Sequence, residues 1–129
     1  MADTALQPTN TPLLTVALDR MIADLIEVLS DEGALEFRPT RYAALRLWEL
    51  LANVDSQMGT AFPYGYIYGD GDGGLRAEWK IPHREVRLRI AAQEGEQSYI
   101  YHQEHENYGG DKVVSAAALL RWLNWLIGR

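Results

Sequence analysis

Apolar positions follow a helical period up to Gly59 and an alternating one after it. From Leu13 to Leu29, residues Leu14, Leu18, Met21, Ile22, Leu25, Ile26 and Leu29 recur at three- and four-residue steps, with Asp19, Arg20, Asp24 and Glu27 opposite them. This spacing predicts an amphipathic helix. Thr11 and Pro12 offer it an N-cap and a first-turn proline, and Ser30-Asp31-Glu32-Gly33 offers a stop. A second helix is predicted after Pro39-Thr40, with Ala44, Leu45, Leu47, Trp48, Leu51 and Val54 on one broad stripe, ending near Gly59.

Beyond Gly59 the alternation and the rise in aromatic and β-branched residues predict four strands. The first, Tyr64 to Tyr68, sets its three tyrosines on one face and Gly65 and Ile67 on the other, then breaks at Gly69-Asp70-Gly71-Asp72-Gly73-Gly74. The second runs from Leu75 to Ile81, and the third alternates Val86, Leu88 and Ile90 against Glu85, Arg87 and Arg89. A short loop at Ile81-Pro82-His83-Arg84 places Trp79 opposite Val86, Ala77 opposite Leu88 and Leu75 opposite Ile90 on the inner face. On the outer face it places Lys80 opposite Glu85 and Glu78 opposite Arg87, while Arg76 meets Arg89 with no carboxylate directly across. After a turn around Gly95, Gln97 to Gln103 forms the fourth strand, with Tyr99 and Tyr101 on one face and Ile100 and His102 on the other.

The last element starts at Ser115 as N-cap and ends before Gly128, with Arg121 and Asn124 its only polar residues. So apolar a helix is buried on more than one side or offers a spare face to a second chain. Trp122 and Trp125 lie about 60° apart on it by helical geometry, so one of them should enter the core. Arg121, four residues before Trp125, can lay its guanidinium over that indole. The order α-α-β-β-β-β-α, with hairpin connections throughout, predicts an α+β fold holding a four-stranded antiparallel meander. Residues 1–12 are too polar to offset the entropy of ordering and read as a flexible leader, leaving 13–129 as one domain.

Gly73-Gly74-Leu75-Arg76-Ala77-Glu78-Trp79, the Arg87-Leu88-Arg89-Ile90 strand and the closing Leu120-Arg121-Trp122-Leu123-Asn124-Trp125-Leu126 helix resemble small uncharacterised bacterial proteins with a Gly-Gly-x-x-x-Glu-Trp hairpin. The resemblance covers the chain from Tyr64 onward. It implies a bacterial origin and a sheet packed by a C-terminal helix, and it carries no activity and no catalytic residue across.

Composition narrows the chemistry. The absence of cysteine excludes disulfides, thiolate nucleophiles and Cys-ligated metals, and favours a reducing compartment. The first residues form no secretory signal, and no stretch reaches the length of a membrane span, so a cytoplasmic location without membrane contact is expected. A net charge of −6 disfavours unspecific binding to nucleic acid. Asp70-Gly71-Asp72-Gly73-Gly74 is similar to the opening of a calcium loop, but Ile81 stands where the twelfth-position glutamate belongs, so it reads as a glycine-rich turn. His102, Glu104 and Glu106 share one face if the strand continues. With His83 they form the one candidate set for a metal-dependent enzyme, although His105 points away and no His-Glu-x-x-His spacing occurs.

Arg76, Lys80, Arg84, Arg87 and Arg89 outnumber Glu78 and Glu85 along the hairpin, which makes it locally basic. With Tyr64, Tyr66 and Tyr68 beside them, these arginines could form a nucleic-acid platform. The reading favoured by sequence is a non-enzymatic protein-interaction module, in the style of a small regulatory, inhibitor or antitoxin-like subunit. It would need no cofactor and would bind another protein or a second copy of itself through Arg76, Arg87, Arg89 and Trp125. The nucleic-acid platform and the metal enzyme are the alternatives.

Overall fold

The computed structural model describes residues 14–30 and 38–129, so the leader, the Thr11-Pro12 cap and the Asp31–Gly33 stop fall outside the described residues. Helix α1 (Val16–Leu29) is capped by Thr15, not Thr11. The Thr15 hydroxyl accepts from the Leu18 amide at 3.2 Å and donates to the buried carboxylate of Asp55, so one side chain both caps α1 and binds it to the next helix. Helix α2 (Arg41–Met58) begins and ends as expected, with Thr40 as N-cap and Gly59 at φ +58° as C-cap. A single 3-10 turn, Gly59–Ala61, then leads toward the sheet.

Among the described residues the sheet has five strands: β1 (Tyr66–Gly69), β2 (Leu75–Ile81), β3 (Arg84–Ile90), β4 (Tyr99–Glu104) and β5 (Asn107–Asp111). They lie side by side in chain order and all pairs are antiparallel. The α+β meander is therefore as expected, but four strands is one too few. The fourth strand does not run on through Glu106. It reverses in the two-residue loop His105-Glu106, where His105 adopts φ +55°, and Glu104 pairs with Asn107.

The β2–β3 hairpin has the expected register throughout, from Leu75 opposite Ile90 to Lys80 opposite Glu85. Leu75, Ala77, Trp79, Val86, Leu88, Ile90 and Ile100 thereby line one buried face, against which Leu18, Met21, Leu47, Leu51, Leu119 and Leu123 pack. Trp79 is held from the far side as well: its Nε1 donates to the Pro63 carbonyl at 2.9 Å. Gly65 sits so close beneath the indole that a Cβ there would come within 2.6 Å of Nε1.

Helix α3 (Ala116–Leu126) is capped by Ser115, whose hydroxyl accepts from Ala118. Together the three helices of the described residues form one layer: α1 lies against β1, α2 against β2 and β3, and α3 against β3 and α2. Only Leu119, Leu123 and Leu126 of α3 are fully buried. Contrary to expectation, neither Trp122 nor Trp125 enters the core; both are half-buried where α3 meets the end of the sheet. No helix among the described residues is long and apolar enough to cross a membrane.

Candidate interaction surface

With every helix of the described residues on one side, the other side of the sheet is built from the alternate strand positions. Three cross-strand rows make it up: Tyr66, Glu78, Arg87, Tyr101 and Gly110; Tyr68, Arg76, Arg89 and Tyr99; and Lys80, Glu85, Gln103 and Tyr108. Arg76, Arg87 and Arg89 thus share this face as expected. Five tyrosines from β1, β4 and β5 surround them, and three of these, Tyr99, Tyr101 and Tyr108, come from the far half of the sheet. The Tyr99-Tyr101 alternation is legible in sequence, whereas Tyr108 joins the face only through the fifth strand.

Much of the positive charge is matched within the face. Arg87 reaches Glu78 at 3.0 Å and Glu85 at 2.9 Å, and its guanidinium lies 5.3 Å from the centre of the Tyr101 ring, which in turn stacks on Tyr108 at 6.2 Å. Glu85 therefore serves Arg87 and not its register partner Lys80, which corrects the expected Lys80–Glu85 pair. Arg89, which faces Arg76 with no carboxylate across, takes its counter-charge from the turn: Asp70 Oδ2 lies 3.1 Å from Arg89 Nε. Arg76 and Lys80 form no ion pair among the described residues. Beside them, burial and a hydrogen bond to Glu78 raise the Tyr68 phenol above its ordinary value.

Asp70 accounts for the glycine-rich turn. Its side chain is 1 % exposed, and Oδ1 accepts from the amides of Asp72 at 2.8 Å and Gly74 at 3.0 Å. Burial pushes its carboxyl up, but the two amides and the Arg89 guanidinium outweigh it and hold the group below the ordinary aspartate value. A carboxylate so occupied is not free to hold calcium. Nor is there room for a side chain at Gly74, where a Cβ would stand 2.5 Å from both Asp70 Oδ2 and the Ile90 carbonyl.

Tyr64 departs from the expected tyrosine row. It precedes β1, its hydroxyl donates to Asp24 of α1, and Arg20 lies 4.5 Å over its ring. The bond to Asp24, reinforced by burial, raises its phenol above the ordinary value.

The metal candidates do not converge. His102 lies on the helical side, stacked on Trp122 with ring centres 3.6 Å apart and planes 14° from parallel. Burial, with the nearby Arg121 charge adding to it, lowers its basicity. The imidazole also covers Gly109 so closely that a Cβ there would approach within 2.9 Å, which explains a glycine inside β5. Glu104 is taken by Arg84 at 2.9 Å, and Glu106 sits exposed in the turn. His83 meets His105, not His102, with ring centres 4.9 Å apart. The two turns that carry them are joined by the His105 amide donating to the His83 carbonyl. Among the described residues no group of three or more acidic or histidine side chains is arranged to hold a metal ion.

Trp125 lies apart from the open face. Arg84, not the expected Arg121, covers its indole at 4.9 Å and donates to its backbone carbonyl, whereas Arg121 lies 4.8 Å over Trp122. Spacing along one helix favours Arg121 for Trp125; the competing cation comes from the β2–β3 hairpin, across the fold. The four candidate residues thus divide into three on the sheet and one at the helix–sheet seam. No family model matches the chain, and no curated protein or solved structure matches it either.

Proposed function

We propose that this chain is a non-enzymatic protein-binding module of a bacterial cytoplasm, and that the open sheet face receives a protein partner presenting carboxylates to Arg76 and Lys80. The observation that carries the reading is the makeup of that face. Tyrosines from both ends of the sheet surround arginines already held in place by their own carboxylates, leaving Arg76 and Lys80 as the charges of this face with no ion pair among the described residues. Tyrosine supplies contact area at low entropic cost, and fixed arginines supply directed hydrogen bonds; both are enriched in protein interfaces. The four cations of the open face, Arg76, Lys80, Arg87 and Arg89, meet three carboxylates on or beside it, Asp70, Glu78 and Glu85. Little net field therefore remains to attract a nucleic-acid backbone to a chain of charge −6.

The test is affinity capture with the wild type and the Arg76→Glu/Lys80→Glu variant in parallel, followed by calorimetry with the purified captured protein. These positions are more informative than Arg87 and Arg89, which the fold itself uses. A stoichiometric partner whose affinity falls about tenfold or more in the variant supports the proposal. A partner bound equally by both would refute it, as would salt-sensitive binding of labelled oligo(U) or oligo(dT) by the wild type, which would favour the nucleic-acid reading.

A further inference from the structure

The two edges of the sheet are treated differently. At one edge, β1 is packed by α1, and Gly69 lies against Pro39 and Val28. At the other, β5 packs on β4, and among the described residues no helix runs along it. From Asn107 to Gly110 it carries no proline, no charge and no bulge in its regular register, and the one charge in the strand, Asp111 at its end, lies 3.5 Å from Arg121 of α3. Tyr108 on this strand is 73 % exposed.

The two-residue loop determines which amides are free. In such a hairpin the closing pair, here Glu104 and Asn107, exchanges both backbone hydrogen bonds, so alternate residues of β5 bond to β4. Asn107, Gly109 and Asp111 face inward on that count, and Tyr108 and Gly110 turn their N–H and C=O groups to the open edge.

We infer that a second copy of this chain pairs antiparallel with β5 about a two-fold axis at Gly109, joining two five-stranded sheets into one of ten. This proposal is independent of the face reading, because it rests on the edge. In that register Tyr108 lies opposite the partner's Gly110, and Gly110 opposite the partner's Tyr108, so every edge-facing amide and carbonyl of both residues is satisfied, by about four backbone hydrogen bonds. Each Tyr108 ring then covers a glycine that offers no side chain of its own; a Cβ on Gly110 would find only the Ile100 carbonyl, at 3.9 Å. The same register sets Glu106 opposite the partner's Lys112 and Lys112 opposite the partner's Glu106. Both residues are exposed and neither has an ion pair among the described residues. A strand that reads as self-complementary in hydrogen bonds, side-chain volume and charge matches the requirement of an isologous interface, where one patch must fit itself.

Light scattering of the full chain across the micromolar range tests this. The wild type should have twice the chain mass, and Gly110→Pro, which removes an edge-facing amide that β4 does not use, should have the mass of one chain. Glu106→Lys and Lys112→Glu should each weaken the dimer at least severalfold, and the two together should restore it by reversing both pairs. Because the charge variants lie outside the ladder of β4 and β5, they remain informative if the proline disturbs folding. A wild type with the mass of one chain at every concentration overturns the inference. So does a dimer that none of the three substitutions changes.

Discussion

Replacing Asp70 with alanine removes the acceptor of two amides and the counter-charge of Arg89 in one step. The Asp72 amide is exposed and rehydrates, but Gly74 is buried and its N–H is left with no partner, a loss of about 1–3 kcal/mol. Arg89, 22 % exposed, keeps its bond to the Gln97 carbonyl at 2.9 Å, so it loses only part of the roughly 3–5 kcal/mol seen when a fully buried pair is broken. It is then left facing Arg76 without compensation. Together these give about 3 kcal/mol, or a fall of roughly 10 °C in Tm for a chain of this size. Asp70→Asn keeps an acceptor for the turn and loses the charge, so it should cost about 1 kcal/mol. Urea denaturation followed by tryptophan fluorescence measures both, and a double-mutant cycle with Arg89→Leu should return a coupling of at least about 1 kcal/mol. Equal losses for alanine and asparagine, or a loss below about 1 kcal/mol for alanine, would refute the reasoning. The pH dependence has a definite sign. The native pKa of Asp70 is depressed, so its stabilisation is complete above the unfolded value near 3.9 and is lost as pH falls through the native value. Asp70→Asn should remove that part of the acid transition.

His102 acts in a higher window with the same sign. Its basicity is lowered by burial, so the unfolded chain takes up the proton first and stability should begin to fall as pH drops below about 6.5. His102→Phe should flatten that slope, and an imidazole titration by NMR centred above the ordinary histidine value would exclude the mechanism. Gly74→Ala should cost about 3 kcal/mol or prevent folding, because the Ile90 carbonyl cannot move away from the new methyl; calorimetric unfolding reads the difference. Thr40→Val keeps the shape but loses the cap on Ala43 and the bond to the Ala92 carbonyl. It should lower stability by about 2 kcal/mol in chemical denaturation.

The parts of the fold that were legible in the sequence are those set by local pattern. Helix stripes placed α1 and α2, and strict alternation on both sides of a two-residue loop made the β2–β3 register readable residue by residue. The fifth strand was hidden because Gly109 and Gly110 look like loop residues. Gly109 is there to accommodate the His102 ring, a contact between neighbouring strands that no alternation pattern reports. The N-cap of α1 was misplaced for a related reason: Thr11-Pro12 has the stronger local signature, and Thr15 is selected by its bond to Asp55, forty residues away. In the site, the arginine row was readable from hairpin geometry, but the counter-charges were not. Asp70 reaches Arg89, for which spacing offered no carboxylate, from a turn, and Arg84 reaches Trp125 across the fold in place of the Arg121 that helical spacing favoured.

The strand order has a kinetic consequence. Each strand pairs only with its neighbours in sequence, so the meander assembles through short loops at small entropic cost. The helical layer is the opposite case. It brings α2 against α3 across the whole length of the sheet, with Arg46 donating to the Val114 carbonyl over 68 residues of chain. Closing that layer is the step with the largest loop to immobilise. Of the closures described, the meeting of the last helix with the second is the one that loop entropy makes most costly.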